Sequence, residues 1–276
     1  MIELPEAQVL AAQFQTTLVG ITIHAVVAAS SPHKFAWYHG DPAAYPARLV
    51  GSLIQSAEAH GGMLQVNLSR ARLLFSEGVN LRLLAPGQPP PPKHQLLLHF
   101  SDGGALSASV QMYGGLLCWG LEEELDNPYY QVACQKPSPL NPALFTEAYF
   151  LSLFTSEAAQ PLNLKAALAT GQRVPGLGNG VLQDILWKAR LSPKRRLNTL
   201  SAAQMRTLYH ALVSVLAEMT RLGGRDTEKD LFGNPGGYLT VMSAKNNGAP
   251  CPACGTPITR EAFMGGSVYT CPSCQR

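Results

Sequence analysis

The chain ends in two Cys-x₂-Cys knuckles, Cys251-Pro-Ala-Cys254 and Cys271-Pro-Ser-Cys274, with sixteen residues between them. A knuckle of this kind is a tight turn that aims two thiolates at one point, and two at this spacing suit a tetrahedral four-cysteine zinc site. The intervening stretch has two strand-like runs broken at Gly265-Gly266, the pattern of a β-hairpin. A redox dithiol pair and two disulfides are the competing readings. Four thiolates with no open position favour closed, structural coordination of one Zn²⁺ per chain. Cys118 and Cys134 are left over and read as reduced thiols in or near a core.

Composition narrows the class of protein. The chain has 276 residues, 46% of them hydrophobic, which is enough for one large or two medium domains with a real core. No run approaches the ~18 apolar residues of a membrane span. Residues 1–6, Met-Ile-Glu-Leu-Pro-Glu, carry acids where a signal peptide carries Lys or Arg, so the expectation is a cytoplasmic protein. A net charge of +3 says little, but its distribution says more. Lys188, Arg190, Lys194, Arg195 and Arg196 fall within nine residues. Such a cluster is either a solvated helix end or a phosphate-binding patch.

Periodicity divides the chain. Residues 5–19 read as a helix, with Pro5 tolerated in the first turn and Val9, Leu10, Phe14 and Leu18 at helical spacing. Short β-rich runs follow at 21–28, 63–68, 79–84, 95–100, 105–111 and 116–119, as expected of a β-sandwich packed with one long helix. A first domain is therefore placed at 1–125 and a linker rich in Pro, Asn and Gln at 126–144. A helical domain follows at 145–249 and a zinc finger at 250–276. Helices are expected near 145–155, 162–170, 179–190 and 201–222, the last opened by a Ser201/Gln204 capping box. A Gly-rich loop over 223–237 reads either as a movable cover for a pocket or as ordinary surface.

Between two of these helices lies Gln172-Arg-Val-Pro-Gly-Leu-Gly-Asn-Gly180. Pro175 and Gly176 turn the chain, and Gly178-Asn179 opens the next helix. Asn is a good N-cap, and the free amides of a helix N-terminus bind phosphate. Three features stand in order: Glu3-Leu-Pro-Glu6, the GLGN turn ahead of a basic helix end, and the four-cysteine ribbon about 70 residues later. Together they resemble the formamidopyrimidine-DNA glycosylase and endonuclease VIII family along the whole chain.

That resemblance implies a two-domain α+β fold. An N-terminal helix plus β-sandwich is followed by a helical helix–two-turn–helix domain with a four-cysteine zinc ribbon. It also implies that the helix–two-turn–helix and the zinc hairpin clamp DNA, that a damaged base is flipped out for base excision repair, and that the protein works as a monomer, nucleoid-associated when bound. Glu3 matches the acid that protonates the sugar oxygen, Glu6 the second N-terminal carboxylate, and Asn179 with Gly178 the phosphate-binding turn. Lys188, Lys194, Arg195 and Arg196 would add phosphate contacts.

Four departures bear on catalysis. The resemblance implies a proline amine directly after the initiator Met, and Ile2 stands there. Met1 is expected to be retained, which displaces the α-amine by up to ~3.3–3.6 Å, as much as the whole ~3–3.5 Å approach distance. An α-amine can still form a Schiff base. A lysine implied in an early strand falls at Gly62. Where two arginines before Phe-Gly would fill the gap left by the flipped base, the chain reads Gln111-Met-Tyr-Gly114, so Met112 and Tyr113 become the candidate wedge. A phosphate-gripping arginine of the zinc hairpin maps to Gly266.

Residues 31–39 combine His33, Lys34 and His39 with three aromatics. They read as a half-buried hairpin or as a stacking surface for bases, and Lys34 is the alternative amine if the chemistry has moved. Three readings follow. The first is a damaged-DNA-binding protein without the usual amines. The second is an active N-glycosylase and abasic-site lyase in which Met1 or Ile2 supplies the amine and Glu3 the proton. The third is an RNA or structured nucleic-acid binder, with no specific motif behind it.

Overall fold

The computed structural model describes residues 1–276. Helix α1 (Leu4–Thr17) opens the chain, with Pro5 in its first turn, and Leu4 N–H donates to Gly176 O at 2.9 Å. Nine strands follow. β1 (Ile23–Ala28), β7 (Leu96–Phe100), β8 (Ala105–Val110) and β6 (Val79–Leu84) form one sheet in the order β1-β7-β8-β6. β2 (Ala36–Tyr38), β9 (Gly114–Gly120), β5 (Ala71–Phe75), β4 (Met63–Leu68) and β3 (Ile54–His60) form the other, in the order β2-β9-β5-β4-β3. A short helix α2 (Tyr45–Leu49) seals one edge, where Tyr45 Oη donates to Leu116 O at 2.8 Å.

The apolar faces of both sheets bury one core that includes Ile23, Leu64, Phe75, Leu98, Leu106 and Leu116. Ala7, Leu10, Phe14 and Leu18 of the α1 segment belong to it, whereas Leu4 packs into the core of the helical half. One helix is thus shared by two cores, which fixes the N-terminus at the seam between them.

The stretch 126–144, expected as a linker, holds a further helix, α3 (Pro128–Gln135), capped by Asn127, whose Oδ1 accepts from Tyr130 N. Tyr130 meets Trp119 and His60 edge-on, each at 5.7 Å between ring centres, so this segment is packed structure. Cys134 on it is exposed, while Cys118 is fully buried and burial pushes its thiol up to about 12.

The helical half comprises α4 (Glu147–Ser152), α5 (Leu164–Ala169), α6 (Asn179–Lys188) and α7 (Ala202–Arg221). α7 presents Leu208, Ala211, Leu212, Val215, Leu216 and Met219 at three- and four-residue spacing to that core. Its Ser201/Gln204 capping box is formed as expected. The terminal hairpin is β10 (Thr259–Phe263) paired antiparallel with β11 (Gly266–Thr270).

The loop over 223–237 walls a cavity of ≈ 370 Å³ with Thr227, Glu228 and Lys229, and its middle is fastened to the sandwich. Leu231 is fully buried in the sandwich core, and its carbonyl accepts from Leu83 N at 2.9 Å. Gln13 of α1 holds the same turn, donating to Asp230 Oδ2 at 3.0 Å and accepting from Leu231 N at 3.0 Å. The loop is a strap that ties the helical half back onto the sandwich.

Candidate nucleic-acid interface

The seam carries an unusual amount of buried charge. Glu3, Glu6 and Arg225 are only 3%, 6% and 2% exposed. Arg225 grips Glu6 with two bonds, Nε to Oε1 at 2.9 Å and Nη2 to Oε2 at 2.8 Å, and its Nη1 lies 3.5 Å from Glu3 Oε1. Glu3 Oε1 and Oε2 accept from the Gly180 and Val181 amides at 2.9 and 2.8 Å. Glu3 therefore caps α6 from across the domain junction, occupying two amides that the sequence left open to phosphate. Glycine at 180 is what admits the guanidinium, since a Cβ there would lie 1.6 Å from Arg225 Nη1.

The two carboxylates respond differently to this environment. Burial pushes Glu3 up, and Arg225 with the two amides offsets this only in part, leaving it above the usual carboxylate range. Burial also opposes the charge of Glu6, but the bidentate Arg225 outweighs it and holds Glu6 below that range. Burial disfavours the Arg225 cation too, and Glu3 and Glu6 more than reverse this, so the guanidinium stays charged.

The N-terminal amine sits beside this cluster, ion-paired with Glu228. Ile2 is 4% exposed and packed into the sandwich core. Gly62, where the resemblance implies a lysine, forms the β3–β4 turn against the helical half. A Cβ there would meet Gly176 Cα at 3.2 Å and Ile2 O at 3.3 Å. No side-chain amine from that position enters the site.

A cleft of ≈ 490 Å³ opens in front of the seam. Met1, Glu3, Met112, Tyr113, Gly178 and Asn179 line it, together with the tip of the zinc hairpin at Gly266. Met112, on the β8–β9 turn, is 64% exposed. Ile2 and Glu6 do not line the cleft and face the separate cavity of ≈ 370 Å³. Asn179 is the first residue of α6 and Gly178 its N-cap, one position earlier than expected. The Asn179 Nδ2 donates to Ser267 O at 3.0 Å, so this side chain fastens the hairpin while its main-chain N–H stays free at the cleft.

Lys188, Lys194, Arg195 and Arg196 do not line the cleft. Lys194 pairs with Glu261 of the hairpin, and Arg195 donates to Thr199 O, Gln204 Oε1 and Arg276 O. Those two brace the fold, and only Lys188 and Arg196 are exposed without a partner. Lys34 lies outside as well, 5.3 Å from the Phe35 ring centre. Sequence reasoning missed two residues of the cleft lining: Lys165, whose Nζ donates to Phe263 O at 2.7 Å, and Glu77, whose Oε2 meets Tyr113 Oη at 3.5 Å. Neither lies in a motif. Burial lowers Lys165 and raises Glu77, the charge of Glu3 adding to the latter.

Behind the hairpin the four cysteines converge, with all Sγ atoms within 4.8 Å of one another. Cys251–Cys274, Cys254–Cys271 and Cys254–Cys274 are 3.9, 3.4 and 3.3 Å apart, and no disulfide joins them. Tetrahedral thiolates at ~2.3 Å from an ion stand about 3.8 Å from one another, so the set fits a metal ion. Trp187 Nε1 donates to Cys251 Sγ at 3.4 Å, a contact that orients the sulfur.

This architecture has close counterparts. The N-terminal domain of formamidopyrimidine-DNA glycosylase matches residues 1–111, and the H2TH domain of the same enzyme matches residues 137–230. A formamidopyrimidine-DNA glycosylase of Symbiobacterium thermophilum is 30% identical over 281 residues, spanning 100% of this chain and 89% of that one. The crystal structure of the MutM (Fpg) protein from Thermus thermophilus superposes with a TM-score of 0.81 at 28% identity, covering 99% of this chain and 98% of its own. The Lactococcus lactis Fpg in complex with abasic-site DNA shares the fold, at a TM-score of 0.82 and 23% identity over 99% of each chain. The chain belongs to the formamidopyrimidine-DNA glycosylase family.

Proposed function

We propose that this protein binds damaged or distorted DNA in the ≈ 490 Å³ cleft, as a base-excision repair member of its family. The observation that carries the reading is convergence: the N-terminus, the α6 N-terminus, the β8–β9 turn and the zinc hairpin all meet there. The free Asn179 N–H suits a phosphate oxygen. Exposed Met112 suits a wedge between base steps, with Tyr113 behind it. Lys188 and Arg196 add charge at the margin. Zn²⁺ held by Cys251, Cys254, Cys271 and Cys274 would keep the hairpin rigid beside the backbone. Fluorescence anisotropy with an abasic duplex and an undamaged one tests this. Asn179→Pro, which removes the main-chain N–H at a first helical position where proline is tolerated, is expected to weaken both duplexes beyond Asn179→Ala, because phosphate contacts position and do not specify. Equal wild-type affinity for both duplexes would remove the damage preference, and equal affinity of Asn179→Pro and Asn179→Ala would remove this placement of the DNA.

For chemistry, the engaged amine argues for a binder that forms no imine. Met1 is held by Glu228, and neither Ile2 nor Gly62 offers an amine. One observation supports the second reading, an active glycosylase and lyase: Met1 and Glu3 line the same cleft, and a carboxyl held above its usual range can deliver a proton. Borohydride reduction on abasic DNA separates the two. No covalent adduct is expected, and an adduct mapped to Met1 or Lys165 would establish the lyase.

A further inference from the structure

A second cavity, of ≈ 390 Å³, adjoins the cleft on the far side of Tyr113. Three glycines, Gly62, Gly115 and Gly176, line it with main chain alone. Two large aromatic rings face it with little packed against them: Trp37 is 52% exposed and Tyr129 61%. Trp37 also lies 5.9 Å from the Tyr113 ring centre at an interplanar angle of 36°, forming an aromatic corner. The polar edge is supplied by Glu77 and Gln172, which line both the cavity and the cleft, as Tyr113 does. Nothing in the fold requires a tryptophan on a short edge strand to stand half in solvent, because its burial would stabilise the sheet.

Resting on the DNA-binding reading above, we propose that this cavity is a second nucleobase site. It takes an unpaired base of the bound DNA, stacked on Trp37 with its edge toward Glu77 and Gln172. The size falls within the range of preformed sites for small planar ligands. Stacking on an aromatic face tolerates any base, since each has a π-face, so the site reads unpairing and not sequence. Glu77, raised by burial, can carry a proton there and so meet both donors and acceptors on a base edge.

The test uses the full-length protein and two duplexes differing only in whether one 5-iodouracil is paired or bulged out. The bulged duplex is expected to bind more tightly and, on long-wavelength irradiation, to crosslink to Trp37 or Tyr129 as mapped by peptide mass spectrometry. Trp37→Ala should weaken the bulged duplex by roughly 5- to 150-fold, the range for losing one base–aromatic stack, and leave the paired one unchanged. Trp37→Phe should restore most of the loss. Equal effects of Trp37→Ala on both duplexes, no effect on either, or a crosslink only at Met112 or Tyr113 would each overturn the second site while leaving the cleft reading intact. Failure of the wild type to bind either duplex would overturn both.

Discussion

The two ends of the cleft are held by opposite means. At the N-terminal end a buried guanidinium meets two buried carboxylates, and every partner is supplied by the chain itself. At the hairpin end the apolar cluster is small: Met242 and Ile258 are buried beside Cys251 and Cys271, with Trp187, Val241 and Tyr269 partly buried against them, little for a two-stranded hairpin in water. Asn179, Lys165 and Lys194 bond the hairpin to the helical half, and the converging sulfurs offer a site for a cation. One wall is thus fixed by protein electrostatics and depends on pH, and the other carries four sulfurs able to hold a metal ion, on whose supply it is expected to depend.

The largest effect that would break this contrast is metal removal. Structural zinc contributes ~10–16 kcal/mol of apparent binding free energy in small domains, so chelation is expected to release residues 250–276 while the sandwich keeps its strands. Amide hydrogen exchange should show protection lost in β10 and β11 and kept in β4. Equal loss in both would mean that the two walls are not independent.

Next is Arg225→Ala, which leaves Glu3 and Glu6 buried without their cation. Breaking a buried pair costs about 3–5 kcal/mol, to be read as a shift in the denaturant midpoint at neutral pH. A loss below ~1 kcal/mol would show that the cluster is solvated and does not fix the seam. Gly180→Ala attacks the same site sterically, and overpacking of this kind costs about 1–3 kcal/mol. A variant as stable as wild type would mean that the guanidinium has room to move aside.

The pH dependence sharpens the comparison because Glu3 and Glu6 act in opposite directions. Glu6 is held low, so its contribution is complete above the ordinary value of about 4.3 and is lost as pH falls through its lower folded value. Glu3 is held high, so the folded state is favoured below that same ordinary value and loses this contribution as pH rises through the folded value. Glu3→Gln should therefore remove a decline in Tm on the neutral side of about pH 4.3 without altering the acid limb, as measured by calorimetry. The smallest effect is at the metal end. Trp187→Phe removes one hydrogen bond to sulfur, about 1 kcal/mol, and should weaken metal retention roughly 5-fold in a chelator competition.

Several elements are legible in the sequence. α1, β4, β6, β8, α6 and α7 carry periodicity or caps, and the cysteine spacing alone predicted that the four sulfurs converge. β3 was not legible: Ile-Gln-Ser-Ala-Glu-Ala-His has little strand propensity and is held by its register with β4, Ala57 opposite Val66 and Ala59 opposite Leu64. α3 was hidden in a segment whose polar composition suggested a linker, because only Tyr130 and Ala133 anchor it. Of the candidate site, Glu3, Asn179 and Met112 were found through motif positions. Lys165, Glu77 and Arg225 were not, since each acts through neighbours distant in the chain.

The sequence by itself therefore determined the family, the order of the elements and the residues able to bind a metal ion, because spacing and periodicity are local properties. The tertiary structure alone decided which charges are spent and which are free. Arg225 lies 219 residues from Glu6, and Glu3 accepts from the Gly180 amide 177 residues further along the chain. Desolvation and pairing across such distances depend on packing that no local pattern encodes.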